Sequence, residues 1–164
     1  MNQNGPVWYV ARIAGPKVST GTRHCAVPRD KALLLFVGAV VDDYPCPDPN
    51  FRPAPGQSLF DFLIADAKPY LDAVNSLMVS LDDRAVHGVM RHRYQSDNLF
   101  SLKADPSMIA PLGDPCLTGD WQPAVLDGYF LMFRPLPVGR HVIHVHGMTT
   151  TGDDKTFTYY LTVY

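Results

Sequence analysis

The fold class that this sequence predicts is mainly β, an antiparallel β-sandwich of jelly-roll-like type with one helical insert. Three observations predict it. Short β-branched and aromatic runs recur along most of the chain, and each is ended by Gly, Pro or Asp. In the last run Phe157, Tyr159, Leu161 and Val163 alternate with Thr156, Thr158, Tyr160 and Thr162, the period-two signature of a strand with one face in a core. One stretch, about 58–76, instead repeats its apolar residues at three-and-four spacing, so a single helix interrupts the strands. The 164 residues are 46% hydrophobic and 18% charged, a globular composition, and the expectation is one domain over 1–164.

Val7 to Ile13 is β-branched and aromatic and stops at Gly15-Pro16, which gives a first strand and a turn. Lys17 to Val27 is a second strand, ended by Pro28. The run from Lys31 to Val41 is apolar without alternation, the pattern of a strand buried on both faces. Pro45, Pro47, Pro49, Pro53 and Pro55 each remove an amide donor, so 42–56 reads as an irregular loop. Ser58 caps the helix with Asp61 three residues on, and interior Pro69 predicts a kink or a break there. Strands are expected again at Leu77 to Leu81, Val86 to Tyr94 and Asn98 to Lys103, with a turn at Asp82-Asp83. The Asp127-Gly128 turn, the strands 129–133, 140–147 and 156–164, and a second turn at 135–139 then form a meander.

The net charge of -2, with no basic cluster beyond Arg91-His92-Arg93, argues against a nucleic-acid partner. The longest apolar run is about ten residues, far short of a membrane span. Cys25, Cys46 and Cys116 lack zinc-ligand spacing; one loop disulfide and one buried thiol are expected, with the pairing left open. Cys46 and Cys116 both lie in Pro-rich loops and can meet. Low charge and many Pro, Thr and Tyr residues point to an extracytoplasmic protein, secreted or periplasmic. Met1 leads straight into polar residues, so no signal peptide is visible in this chain.

Val7-Trp8-Tyr9-Val10-Ala11, then Thr22 to Pro28, then Lys31 to Val37 resemble a family of uncharacterised, mostly exported bacterial proteins sharing a pattern like W-F-L-A…R-x-C-x-V-P-x-G-K-A-L-F-F-P-V. The resemblance continues through Asp127 to Met132, Leu136 to His144 and Tyr159 to Val163. Asp30 stands where that family tends to have Gly, and Gly38 near where it tends to have Pro or Asn. The resemblance implies an exported single domain and says nothing about chemistry.

The densest run of potential metal ligands is Gly139 to His146. Alternation puts His144 and His146 on one face of a strand, where both imidazoles can reach one transition-metal ion, and sends His141 to the other. The pair is similar to half of a cupin H-x-H motif without its Glu; His24, His87 or His92 would have to supply a further ligand, and Asp153 or Asp154 the acceptor for the second ring nitrogen. The plainer reading is a solvated face.

Arg91 and Arg93, two apart in an expected strand, can clamp an anion or merely guard a sheet edge. Asp42-Asp43 can bind calcium, act as a base or cap a turn. Trp8, Tyr44, Phe51, Trp121 and Tyr129 are candidates for a sugar-stacking platform; Trp121, in a Gly-Asp-Trp-Gln-Pro loop, is the best of them, and Trp8 suits a core. Nucleophile and phosphate-loop signatures are absent. The sequence therefore leads to a binding module for a saccharide or other surface ligand, without a cofactor, contacting it through Trp121, Arg91, Arg93 and Tyr44. The alternative is a small metal-dependent enzyme, a hydrolase or oxidoreductase, using His144 and His146.

Overall fold

The structure, a computed structural model, describes residues 3–10 and 18–164. The expected Gly15-Pro16 turn lies outside the described residues. The strands are β1 (Val7–Val10), β2 (Val18–Val27), β3 (Ala32–Asp43), β4 (Val74–Leu81), β5 (Arg84–Val86), β6 (Arg93–Gln95), β7 (Phe100–Lys103), β8 (Trp121–Phe133), β9 (Gly139–Thr149) and β10 (Asp154–Val163). The helix α1 (Leu59–Asp72) stands between β3 and β4. The protein is thus mainly β with one substantial helix, as the patterning requires.

The sheets correct the finer expectation. One has the order β1-β3-β8-β6, with β7 pairing β8, and the other has the order β2-β10-β9-β4-β5. Both are mixed, because β1 runs parallel to β3 and β2 runs parallel to β10 through all ten residues from Val18 to Val27. The all-antiparallel jelly-roll pairing is not what forms. Alternation reports which side chains share a face and is blind to strand direction, so nothing in the sequence separated a parallel neighbour from an antiparallel one.

Contacts divide the chain into two compact units. One takes the described residues of Met1–Gly38 with Ala73–Arg93 and Tyr129–Tyr164; the other takes Ala39–Asp72 and Tyr94–Gly128. In the first, β10 behaves as its alternation demands, with Phe157, Tyr159, Leu161 and Val163 buried beside Ile143 and Val145 of β9. The part of β3 in this unit buries Leu33, Leu35 and Val37 and leaves the residues between them half-buried, so one face is fully covered and the other only partly.

Asp82 and Asp83 form a two-residue turn between β4 and β5, both with positive φ (48° and 61°), the geometry that suits the right-handed twist of a hairpin. Beyond it, the expected strand from Val86 to Tyr94 is broken: β5 ends at Val86 and a 3₁₀ turn occupies Val89–Arg91 before β6. Gly88 starts that turn with φ 74°, a left-handed conformation that glycine reaches without steric cost and that no strand residue adopts. The meander is likewise partial. β9 and β10 form an antiparallel hairpin, but β9 takes β4 as its other neighbour while β8 lies in the other sheet.

In the second unit, Ser58 and Asp61 start α1 as expected: the Ser58 hydroxyl accepts from the Asp61 amide at 3.1 Å and donates to its carboxylate at 2.6 Å. Leu63, Ala67 and Leu71, each four residues apart, are its buried stripe. The helix runs through Pro69 without a break, because in the last turn a missing amide forfeits a single backbone bond to the exposed Ala65. Asp127-Gly128 is no turn; β8 continues through both, and the buried Asp127 carboxylate accepts from Gln95 at 3.0 Å, which satisfies a charge that composition alone assigned to a turn.

Cys46 and Cys116 form a disulfide, and Cys25 is a free, half-buried thiol. The bond is compatible with an oxidising, extracytoplasmic compartment. No helix among the described residues is long and apolar enough to cross a membrane.

Candidate functional site

The outward face of the first unit's β4, β9 and β10 is set by the same alternation that buries Ile143 and Val145. It presents His144 and His146 side by side, as expected. Ladder register then adds neighbours the sequence did not give: His146 lies opposite Met78 of β4 and Thr156 of β10, and His144 lies opposite Ser80 and Thr158. The left-handed Gly88 and the buried Val89 hold the segment after β5 beside this face. A cleft of about 480 Å³ results, whose lining includes Met78, His87, Met90, His144, His146 and Thr156.

Each imidazole has one ring nitrogen engaged by a neighbour. The Asp154 carboxylate lies 2.8 Å from Nε2 of His146, an acceptor for a proton on that nitrogen, and the tautomer that donates to it has its lone pair on Nδ1. Nδ1 of His144 is paired with the Thr158 hydroxyl at 3.0 Å. Of the acceptors expected for this role, Asp154 takes it, while Asp153 bonds Thr149 and Thr151 and pairs with Lys155. Among the candidates for a further histidine, His87 reaches the cleft and His24 stacks on Tyr160. No group of three His, Cys, Asp or Glu side chains among the described residues is arranged to hold a metal ion.

His141 has a different task. Its Nδ1 lies 2.6 Å from one oxygen of Asp82 and its Nε2 lies 2.9 Å from the Pro137 carbonyl, so two acceptors ask the ring for two protons. Burial alone would lower its pKa, but the bonds to Asp82 and Pro137 and the Asp82 charge outweigh it and raise it. The other Asp82 oxygen accepts from the Val142 amide at 2.9 Å, and those bonds outweigh burial to hold its carboxyl below the usual range. The pair fastens the β4–β5 turn to β9.

The second unit holds a cluster of acids. Asp42 and Asp43 end β3 in the strand itself and do not open a turn. Asp43 is 3% exposed, and one of its oxygens is 3.4 Å from the Gln122 amide, which also donates to the carbonyls of Pro45 and Cys116, both at 2.9 Å. The second oxygens of Asp42 and Asp43 are buried without a hydrogen bond. Burial, then the charge and hydrogen bond of Asp66, then Asp114 and Asp43, push Asp42 up to about 7; burial and Asp114 push Asp43 up to about 6. Asp42 therefore keeps its proton to a much higher pH than an ordinary carboxyl.

The expected ligand-binding residues fall in both units. Trp121 and Tyr44 belong to the second unit and Arg91 and Arg93 to the first. Trp121 opens β8 and is 70% exposed. Gly119 positions the approach, with φ 83° and no room for a Cβ, which would fall 2.7 Å from Pro106. Tyr44 is half-buried, Phe51 packs against Phe62, and Tyr129 is in the core, so Trp121 is the most open of these rings. Trp8 is half-buried, only partly the core residue expected. Arg91 sits in the 3₁₀ turn and Arg93 begins β6, so the shared strand face on which a paired clamp depended is absent.

Sequence reading missed Met78, Met90, Asp66 and Asp114. Met78 had a signal, since Ser76, Met78 and Ser80 alternate with the apolar Leu77, Val79 and Leu81, but its partner across the ladder depends on register. The others come together only through tertiary folding.

No family model matches the chain, and no curated protein matches it. Among solved structures, a cysteine protease inhibitor from Entamoeba histolytica is similar over 92% of this chain and 100% of its own, at 10% identity and a TM-score of 0.29.

Proposed function

We propose that the protein is an extracytoplasmic binding module whose ligand occupies the cleft over His144 and His146. The observation that carries this reading is the cleft itself: a concavity of about 480 Å³, within the range usual for small-molecule sites, built on a rigid three-strand platform and bordered by a glycine-set turn. Its lining is apolar with a few imidazole and hydroxyl groups, suited to a small ligand fixed by two or three polar contacts. No Trp, Tyr or Phe lines it, so a saccharide would find its stacking surface at Trp121, and the 70% exposure of that side chain favours this as a second site of the same class. A metal-dependent hydrolytic centre, which ordinarily uses three nitrogen, thiolate or carboxylate ligands, has less support from the donors that gather here.

The test is methyl NMR on the methionines together with the indole signal of Trp121, recorded against a fragment and oligosaccharide library. Shifts at Met78 and Met90 are expected for cleft ligands. Silence at both methyls across the library would overturn the cleft reading, and shifts confined to the indole would favour the saccharide site.

A further inference from the structure

We infer that this cleft is a site for a soft monovalent metal ion, Cu(I), bound by Met78, His144 and His146 with Met90 closing over it; the inference rests on the cleft being the binding site. Nitrogen, thiolate and carboxylate donors alone make no group of three among the described residues. Two thioethers complete the set. Met78 lies directly across the β4–β9 ladder from His146, a position at which Cβ atoms stand about 5 Å apart, and His144 is the next residue on the same face. Met90 lines the cleft from the segment after β5.

Three features select the ion. First, no Asp, Glu, Lys or Arg lines the cleft, so the donor set is neutral and offers little to Ca²⁺, Mg²⁺ or other ions that want oxygen. Second, thioether sulfur is a soft donor that suits Cu(I), while imidazole accommodates it equally well. Third, the imidazoles are prepared for ligation. Nε2 of His146 lies 2.8 Å from the Asp154 carboxylate, the carboxylate–histidine arrangement common at metal ligands, and the tautomer that donates there presents Nδ1 to the ion; likewise the His144 tautomer that donates from Nδ1 to the Thr158 hydroxyl at 3.0 Å presents Nε2. Met78 and Met90, 55% and 41% exposed, are large apolar side chains open to water at the cleft, and a bound soft ion gives those sulfurs a partner.

The experiment is an anaerobic competition titration of the folded chain against the Cu(I) complex of bathocuproine disulfonate, in a Cys25→Ser background that removes the free thiol as a competing donor. One equivalent of Cu(I) should move to the protein. Met78→Leu and Met90→Leu, which keep side-chain volume, should each weaken binding tenfold or more, about 1.4 kcal/mol, with an unchanged melting curve confirming the fold. Zn²⁺, titrated in parallel, should show no dependence on either methionine. The inference is overturned if wild-type-like protein withdraws no Cu(I), or if the double methionine variant withdraws it equally well. Library fragments that still shift Met78 and Met90 in a protein that ignores Cu(I) would sink the metal and leave the binding-module reading standing.

Discussion

Replacing Asp42 with asparagine should stabilise the protein above neutral pH and flatten its stability profile between pH 4 and pH 8. The folded-state carboxyl titrates at about 7 against an ordinary value of 3.8, chiefly because it is buried and faces Asp66. Between those two values the folded chain holds a proton that the unfolded chain has lost. Stability must therefore fall as pH rises through that window and level off above it. The full gap corresponds to about 4 kcal/mol at 1.4 kcal/mol per pH unit, and partial solvent access screens it to roughly half. Asparagine keeps the shape, carries no charge, and its amide can donate to Asp66 in place of the Asp42 carboxyl proton. Urea melts of the two proteins at about pH 4.5 and pH 8 should differ little in acid and by about 2 kcal/mol in base, or about 4–8 °C in Tm. An identical pH slope in both proteins, or an Asp42→Asn protein less stable at the higher pH, would refute the raised pKa of Asp42.

His141→Ala should lower stability more at about pH 5.5 than at pH 9: a raised histidine pKa contributes fully below the unfolded value of about 6.5, and that contribution is lost as pH rises through the folded one. Equal losses in thermal melts at both values would show that the ring acts by packing alone. Removing the disulfide with Cys46→Ala and Cys116→Ala opens a loop spanning 70 residues, for which chain entropy alone gives about 4 kcal/mol, readable as a drop in the urea midpoint. Trp121→Ala should change stability by less than about 1 kcal/mol, as exposed side chains do, and a fall of several kcal/mol in denaturant melts would mark the ring as structural.

Much of the fold was legible along the chain because local patterning is a one-dimensional record of burial. The alternation in 156–163 fixed the buried face of β10, Ser58 and Asp61 fixed the start of α1, and Asp82-Asp83 fixed a hairpin turn that the positive φ of both residues confirms. The pairing of His144 with His146 on one face followed from period two alone. Strand partners and their directions did not follow, because hydrogen bonds between strands join backbone groups that are the same in every residue. Tertiary structure alone decided that β2 lies parallel to β10, that Asp127 sits inside a strand, and that Met78 faces His146. It also decided the titration of Asp42. A carboxyl shifts only when a particular neighbour and a particular depth are supplied, and Asp66 arrives from a helix that the sequence places but does not orient.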